Sequence, residues 1–252
     1  MKQGWLAFTC ALLVFAPAPA ADVLIVADEL PAMEVLAGRL KAQEGVAATV
    51  VTQDRMPPGL PGYAAVIVYI HRNLDAAAER AFIDYTTGGG RLVVLHHSIS
   101  SGKRKNKDWF PFLGIELPTG DAEKGGYKWI EPATLGVVNL APGHFITTNK
   151  VDYPTNLAFA ASAAGPAAPR PGIVLPESEV YLNHVWTAER TPLLGLRYTD
   201  PKSGRTWMQD TAGWLRPAGR GLIVYLMPGH SALDFENPAY ARIVVNAVIF
   251  RP

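Results

Sequence analysis

Four of the six histidines in this chain stand where a short apolar run ends in a turn. His71 follows Ala64–Ile70, His96 and His97 follow Arg91–Leu95, and His230 follows Gly221–Leu226 with Pro228 and Gly229 just before it. Neutral imidazoles ligate zinc and move protons near neutral pH, so histidines gathered from several strand ends suit metal-assisted or acid–base chemistry. His96 and His97, with Ser98 behind them, and His230, exposed by a tight Pro-Gly turn, are the leading candidates. His71 and His184 read as ordinary hydrogen-bonded residues. Glu177, Glu179 and Tyr181 alternate in sequence, which in a strand puts them on one face. A carboxylate there completes a histidine metal site or serves as a general base, although the same spacing fits a solvated face. Trp109, Trp207 and Trp214 are candidates for stacking on sugars, or for the core. The basic run Lys103–Lys107 reads as a solvated loop.

Histidines far apart in sequence meet only if the strands before them run side by side. Asp22–Asp28, Ala47–Thr52, Ala64–Ile70 and Arg91–Leu95 are short, apolar and bounded by polar or glycine residues, as buried parallel strands are. Between them, Pro31 opens a helix with Met33, Leu36, Ala37 and Leu40 at helical spacing. Asp75 opens another, with Ala78, Phe82 and Tyr85 on one face and Gly88-Gly89-Gly90 at its end. This order predicts an α/β fold, an open, doubly wound and mostly parallel sheet, whose ligands bind beyond the carboxyl ends of the strands. From Lys107 the rhythm turns β-rich. A short helix is expected near 108–113, strands at 134–140, 179–182, 193–198 and 221–226, a surface loop at 158–172 and a last helix from Pro238. No internal repeat is evident, so residues 21–252 read as one α/β domain with a β-rich elaboration in its second half.

Residues 1–20 read differently. Lys2, the apolar run Trp5–Phe15 and the small residues Ala18-Pro19-Ala20 have the pattern of a secretory signal, and the run is too short for the roughly 20 residues a bilayer span takes. Cleavage after Ala20 would remove Cys10, the only cysteine, and Lys2, leaving 22 basic against 22 acidic residues. The expectation is a periplasmic or secreted protein without disulfide, thiol nucleophile or thiolate metal site, and without membrane insertion once the signal is cut. A near-zero net charge gives no basis for nucleic-acid binding. Self-association into a homo-oligomer is left open.

Several stretches, in order, resemble the ThuA-like family, named for trehalose utilisation, which shares the fold of class I glutamine amidotransferases. They are Tyr85–Ser98 with its glycine-led strand ending in His-His-Ser, Trp109–Gly114, Val137–Thr147 around His144, the acidic segment Glu177–Tyr181, Gly219–His230 and Phe235–Tyr240. The resemblance spans nearly all of the chain after residue 20. It departs from the family pattern at the doubled His96-His97, at Phe145 where a proline is usual, at Ser231 after Gly229-His230, and at the acidic pair split by Ser178. The amidotransferase cysteine is absent from the turn after Leu95, and Ser98 lacks a Gly-x-Ser-x-Gly elbow. A flavodoxin-like redox module has no phosphate loop after its first strand.

The resemblance implies a small-molecule carbohydrate, a keto-sugar or a glycoside, as substrate. His96 or His97, His144 and His230 are expected to line one pocket with Glu179 or Glu177, as catalytic groups. His96, His144 and His230 are the expected ligands of a divalent metal such as zinc, with Ser98, Trp109 and Tyr181 as substrate contacts. The competing expectation is a sugar-binding protein without catalysis, its pocket inherited and its nucleophile lost.

Overall fold

All five residues of β1 (Val23–Ala27) are buried, and so are all five of β3 (Ala65–Tyr69), because both faces of these strands are covered. The computed structural model describes residues 22–160 and 165–252; the expected signal segment lies outside the described residues. α1 (Leu30–Glu44) follows β1, starts with Pro31 in its first turn, buries Ala32, Met33, Leu36 and Leu40, and ends at Gly45 in the left-handed region, φ 66°. β2 (Ala48–Val51) comes next, and α2 (Ala76–Thr87) joins β3 to β4 (Arg91–Leu95). Asp75 is the N-cap residue of α2, although its side chain makes no capping bond.

β1 pairs in parallel with β2 on one side and β3 on the other, and β4 continues beyond β3. The chain therefore winds both ways from the gap between β1 and β3, the topological switch point where open α/β sheets bind ligands.

The second half enlarges the same sheet. It comprises α3 (Trp109–Leu113), β5 (Ile115–Glu116), β6 (Lys128–Asn139), α4 (Phe145–Thr148), β7 (Thr155–Phe159), β8 (Ala168–Leu182), β9 (Val185–Trp186), β10 (Thr191–Thr199), β11 (Thr206–Ala218), β12 (Gly221–Leu226), α5 (Ala232–Glu236) and α6 (Pro238–Ile249). Ten strands run in the order β2-β1-β3-β4-β12-β11-β10-β6-β8-β7, and β5 with β9 makes a small separate ribbon. β12 is parallel to β4 but antiparallel to β11, and every pairing beyond it is antiparallel. The expected β-rich elaboration is thus an extension of the sheet.

This alternation fixes which ends share an edge. β6 runs against β4 and β12, whereas β8 runs with them. The start of β6 and the end of β8 therefore lie at the edge where β3, β4 and β12 finish, and the end of β6 lies at the opposite edge.

Two expectations change here. The loop anticipated over 158–172 is narrower than expected: β7 runs to Phe159 and β8 starts at Ala168, the two pairing from Thr155↔Gly172 to Phe159↔Ala168. Pro169 and Pro171 suggested a loop, but residues 168–171 pair with β7 alone, so a missing N–H is tolerated on the open side. The basic run is not wholly solvated either. Lys103 is fully buried, its Nζ donating to His71 O at 2.7 Å and Ser100 Oγ at 3.0 Å, and burial brings its pKa down to about 7.

Candidate functional site

β4 ends in a 3-10 turn, His96–Ile99, whose first residue takes φ 44°. A non-glycine residue held in the left-handed region costs on the order of 1–3 kcal/mol and persists only where its surroundings fix it. Here they do. Trp109 Nε1 donates to Ser98 O at 2.7 Å, Ile70 N donates to Ser98 Oγ at 3.1 Å, and that hydroxyl donates to Val68 O at 2.9 Å. Ser98 and Trp109 are 1% and 0% exposed, so neither touches a substrate. The expected substrate contacts are instead the pins that hold the His96 turn against β3.

His96 is wholly buried. Its Nδ1 lies 2.5 Å from Met227 O, and since a carbonyl can only accept, Nδ1 carries the proton. Its Nε2 lies 2.9 Å from Glu179 Oε2, and its ring stacks on Tyr181 with centroids 5.0 Å apart. The Tyr181 hydroxyl donates to Glu179 Oε2 at 3.1 Å, while burial and the Glu179 charge raise its pKa and keep it a donor.

His230 approaches from the loop after β12. Its Nδ1 is 3.4 Å from Glu179 Oε2 and its Nε2 is 3.4 Å from Glu131 Oε2. Asp234 shapes that loop, its Oδ2 accepting from Gly229 N at 2.8 Å, His230 N at 2.9 Å and Ser178 Oγ at 2.7 Å. Gly229 is required there. Its φ is 127°, and a Cβ would come within 2.9 Å of Phe235 Cζ.

Two opposed effects act on Glu179. Burial alone would raise its pKa, but the close His230 imidazole and the hydrogen-bonded His96 and Tyr181 prevail and hold it at about 2. His230 moves the other way, its imidazole raised above the usual value mainly by its contact with Glu179. His97 is 2% exposed; burial, then the neighbouring His96, His71 and His230, push its pKa far down and keep it neutral.

His96, His97, Glu179 and His230 each offer one donor atom, and these atoms all lie within 4.8 Å of one another. Tetrahedral ligands about 2.0–2.1 Å from zinc sit roughly 3.4 Å apart, and the contacts from His96, His230 and His97 to Glu179, at 2.9, 3.4 and 3.8 Å, bracket that spacing. Metal-ligating histidines almost always engage their other nitrogen elsewhere. His96 does so at Met227 O and His230 faces Glu131, but the buried Nδ1 of His97 has no hydrogen-bond partner. The residues fit a site of His96, Glu179 and His230, with His97 beside it as a neutral imidazole.

The remaining candidates lie elsewhere. His144 follows the end of β6, at the far edge of the sheet, where its Nδ1 accepts from Ile146 N at 3.2 Å and caps α4. It is not a ligand of this cluster, and Glu179 takes the position expected for it. Glu177, at φ 53°, departs from regular strand geometry; it is exposed while Ser178 turns inward to Asp234, so the expected shared face fails at that residue. Trp214 is fully buried, and Trp207 stacks on Tyr198 away from the histidines. His184 is buried as well, between Trp186 and Tyr225.

His71, set aside on sequence grounds, belongs at the rim. Its ring stacks on His97 with centroids 4.2 Å apart, and its Nδ1 is 2.8 Å from Glu29 Oε1. Sequence reasoning also missed Glu131, whose only signal was its place near the start of a strand.

An open α/β sheet that gathers histidines from its parallel strands and a glutamate from an antiparallel extension is a variant of the class I amidotransferase-like fold, without that fold's cysteine. The chain belongs to the ThuA family, described as trehalose utilisation, whose sequence profile matches residues 25–250. This ties it to carbohydrate use.

Solved structures share the fold. A ThuA-like protein of Bacteroides uniformis is 20% identical, with 97% of this chain and 94% of that one covered and a TM-score of 0.60. A ThuA-like protein of Parabacteroides merdae is 12% identical over 90% and 88%, with a TM-score of 0.61. A Salmonella typhimurium protein described as cytoplasmic is 13% identical over 90% and 98%, with a TM-score of 0.56. No curated protein matches the chain.

Proposed function

We propose that this is an exported, metal-dependent enzyme acting on a carbohydrate, either a keto-sugar or a glycoside derived from one. The observation that carries the reading is the His96 ring. With Nδ1–H committed to Met227 O, Nε2 is the nitrogen aimed at the Glu179 carboxylate, and His230 Nδ1 meets the same oxygen. Two nitrogens around one carboxylate oxygen, in a pocket closed on the protein side, form a donor set suited to zinc.

A divalent ion there would supply Lewis acidity toward a sugar carbonyl. The chain's own groups would do the rest. His96, Glu179 and His230 hold the centre. Glu131, on the solvent side of His230, accepts or returns the proton that moves at the carbon beside the carbonyl. Tyr181 keeps the Glu179 oxygen oriented, and neutral His97 walls the pocket against water. An isomerase step returns the proton, a lyase step expels the leaving group, and a hydrolase step adds water to the product of that elimination.

Export rests on the Lys2–Ala20 pattern, and no helix among the described residues is long and apolar enough to cross a membrane.

The test is elemental analysis of protein purified without chelators, beside Glu179→Gln, followed by carbohydrate turnover with and without added zinc. Near-stoichiometric metal that falls in the variant, with metal-dependent turnover, supports the reading. Folded, metal-free protein that turns over the same sugar overturns the metal's role. Fractionation of cells making the full chain tests export, and retention of uncleaved protein in the cytoplasm would overturn that part.

A further inference from the structure

Trp129 is half exposed, 50%, whereas Trp109 and Trp214 are wholly buried. It sits beside the site by construction. Near the start of β6 it pairs across the sheet with Tyr181, so both side chains stand on the same face. Tyr181 lies at the base of the pocket against Glu179 and His96, and Trp129 stands at the mouth.

The pocket that reaches Glu179 and Tyr181 holds about 230 Å³, below the roughly 300–1,000 Å³ usual for small-molecule sites. A wider groove of about 500 Å³ adjoins it and shares Ser101, Trp129 and Glu131, then continues past Arg104 and Lys128. Trp129 thus stands between a tight inner pocket and an open outer groove.

We infer that the outer groove is a second sugar subsite, and that Trp129 is the stacking platform for the non-reacting ring of a glycoside. The inference rests on the carbohydrate reading above and deepens it. The apolar C–H face of a pyranose suits the electron-rich face of an indole, and the hydroxyls at the ring's rim need polar partners. Ser101, Arg104, Lys128 and Glu131 supply donors and acceptors around the indole. Arg104 is held in place by Nη2 donating to Leu117 O at 2.8 Å. The protein would therefore select substrates of at least two sugar units, with the reacting ring inside and its neighbour on Trp129.

The test is calorimetric titration of the whole protein with glucose and with trehalose, each as the ordinary sugar and as its ring-oxidised ketone, repeated for Trp129→Ala and Trp129→Phe. The two-ring ligands should bind about tenfold more tightly than the one-ring ligands. Trp129→Ala should erase that preference while leaving metal content unchanged, and Trp129→Phe should keep most of it. A preference that survives Trp129→Ala, or is absent from the parent protein, overturns the subsite and leaves the carbohydrate reading standing. Failure of all four sugars to bind the parent protein overturns both.

Discussion

Glu179 Oε2 and His96 Nε2 lie 2.9 Å apart, although 83 residues separate them in the chain. Glu179 comes from the end of β8 in the antiparallel extension and His96 from the turn after β4 in the parallel half. The candidate centre therefore depends on both halves of the sheet.

Glu179→Gln should keep the fold and lose the chemistry. The amide is nearly isosteric but removes the charge that His96 and His230 share. Turnover should fall by about 10²–10⁴-fold, the range for losing a proton-transfer or charge-stabilising group, with circular dichroism unchanged. Undiminished turnover in the folded variant would remove Glu179 from the site.

His144→Ala should do the opposite. The imidazole caps α4 at the far edge of the sheet, so losing it should cost about 0.5–2 kcal/mol in denaturant titration. Metal content and turnover should match the parent protein. A loss of metal in this variant would contradict the strand directions that place His144 away from His96.

Asp234→Ala tests the loop that presents His230. It strands Gly229 N–H, His230 N–H and the Ser178 hydroxyl, and a buried unpaired donor costs about 1–3 kcal/mol. Both thermal stability and metal affinity should drop, and Asp234→Asn should recover part of each. Unchanged metal affinity in a destabilised Asp234→Ala protein would show that the loop is not what positions His230.

Acid should destabilise the protein in two stages. Burial lowers the pKa of His184 from the ordinary 6.5 to about 3, so the unfolded chain takes up a proton that the folded chain refuses. Stability from this residue falls as pH drops below 6.5 and levels off near 3, a loss of roughly 4–5 kcal/mol at most. Glu179, held at about 2 against 4.5, adds stability above 4.5 that is lost as pH falls through 2. His97, also buried and kept neutral, loses stability over the same range, so His184→Leu should reduce the slope of the first stage without abolishing it and leave the second, as read from urea midpoints across pH. A parent-like slope between pH 6.5 and 3 in that variant would show His184 is not its source.

The parallel half was legible because its strands are buried on both faces and their apolar runs stand out. His96, His97 and His230 were legible for the same reason, since each follows such a run. Strand direction in the second half was not, because apolar pattern gives a strand's position but not its sense. That is why His144 seemed to belong with the others, and why Glu131 and Trp129, at the start of a strand rather than its end, were passed over. Tryptophan type alone could not separate Trp109, which pins Ser98 from the core, from Trp129 at the pocket mouth. The Glu177 face failed at a residue whose positive φ breaks the alternation on which the reading depended.

The place of β12 bears on how the molecule is made. It lies between β4 and β11, yet in chain order it follows both, and well over a hundred residues separate Leu95 from Gly221. At the usual 5–20 residues per second, a ribosome needs roughly 6–25 s to cover that stretch. Throughout it the growing chain carries an apolar β4 whose hydrogen-bonding edge has no partner, the kind of edge on which chains associate. Insertion of β12 closes that edge and, in the same event, delivers Met227 and His230 to His96. Completion of the sheet and assembly of the candidate centre are one step, so a chain without β12 in place has both an open β4 edge and no complete site.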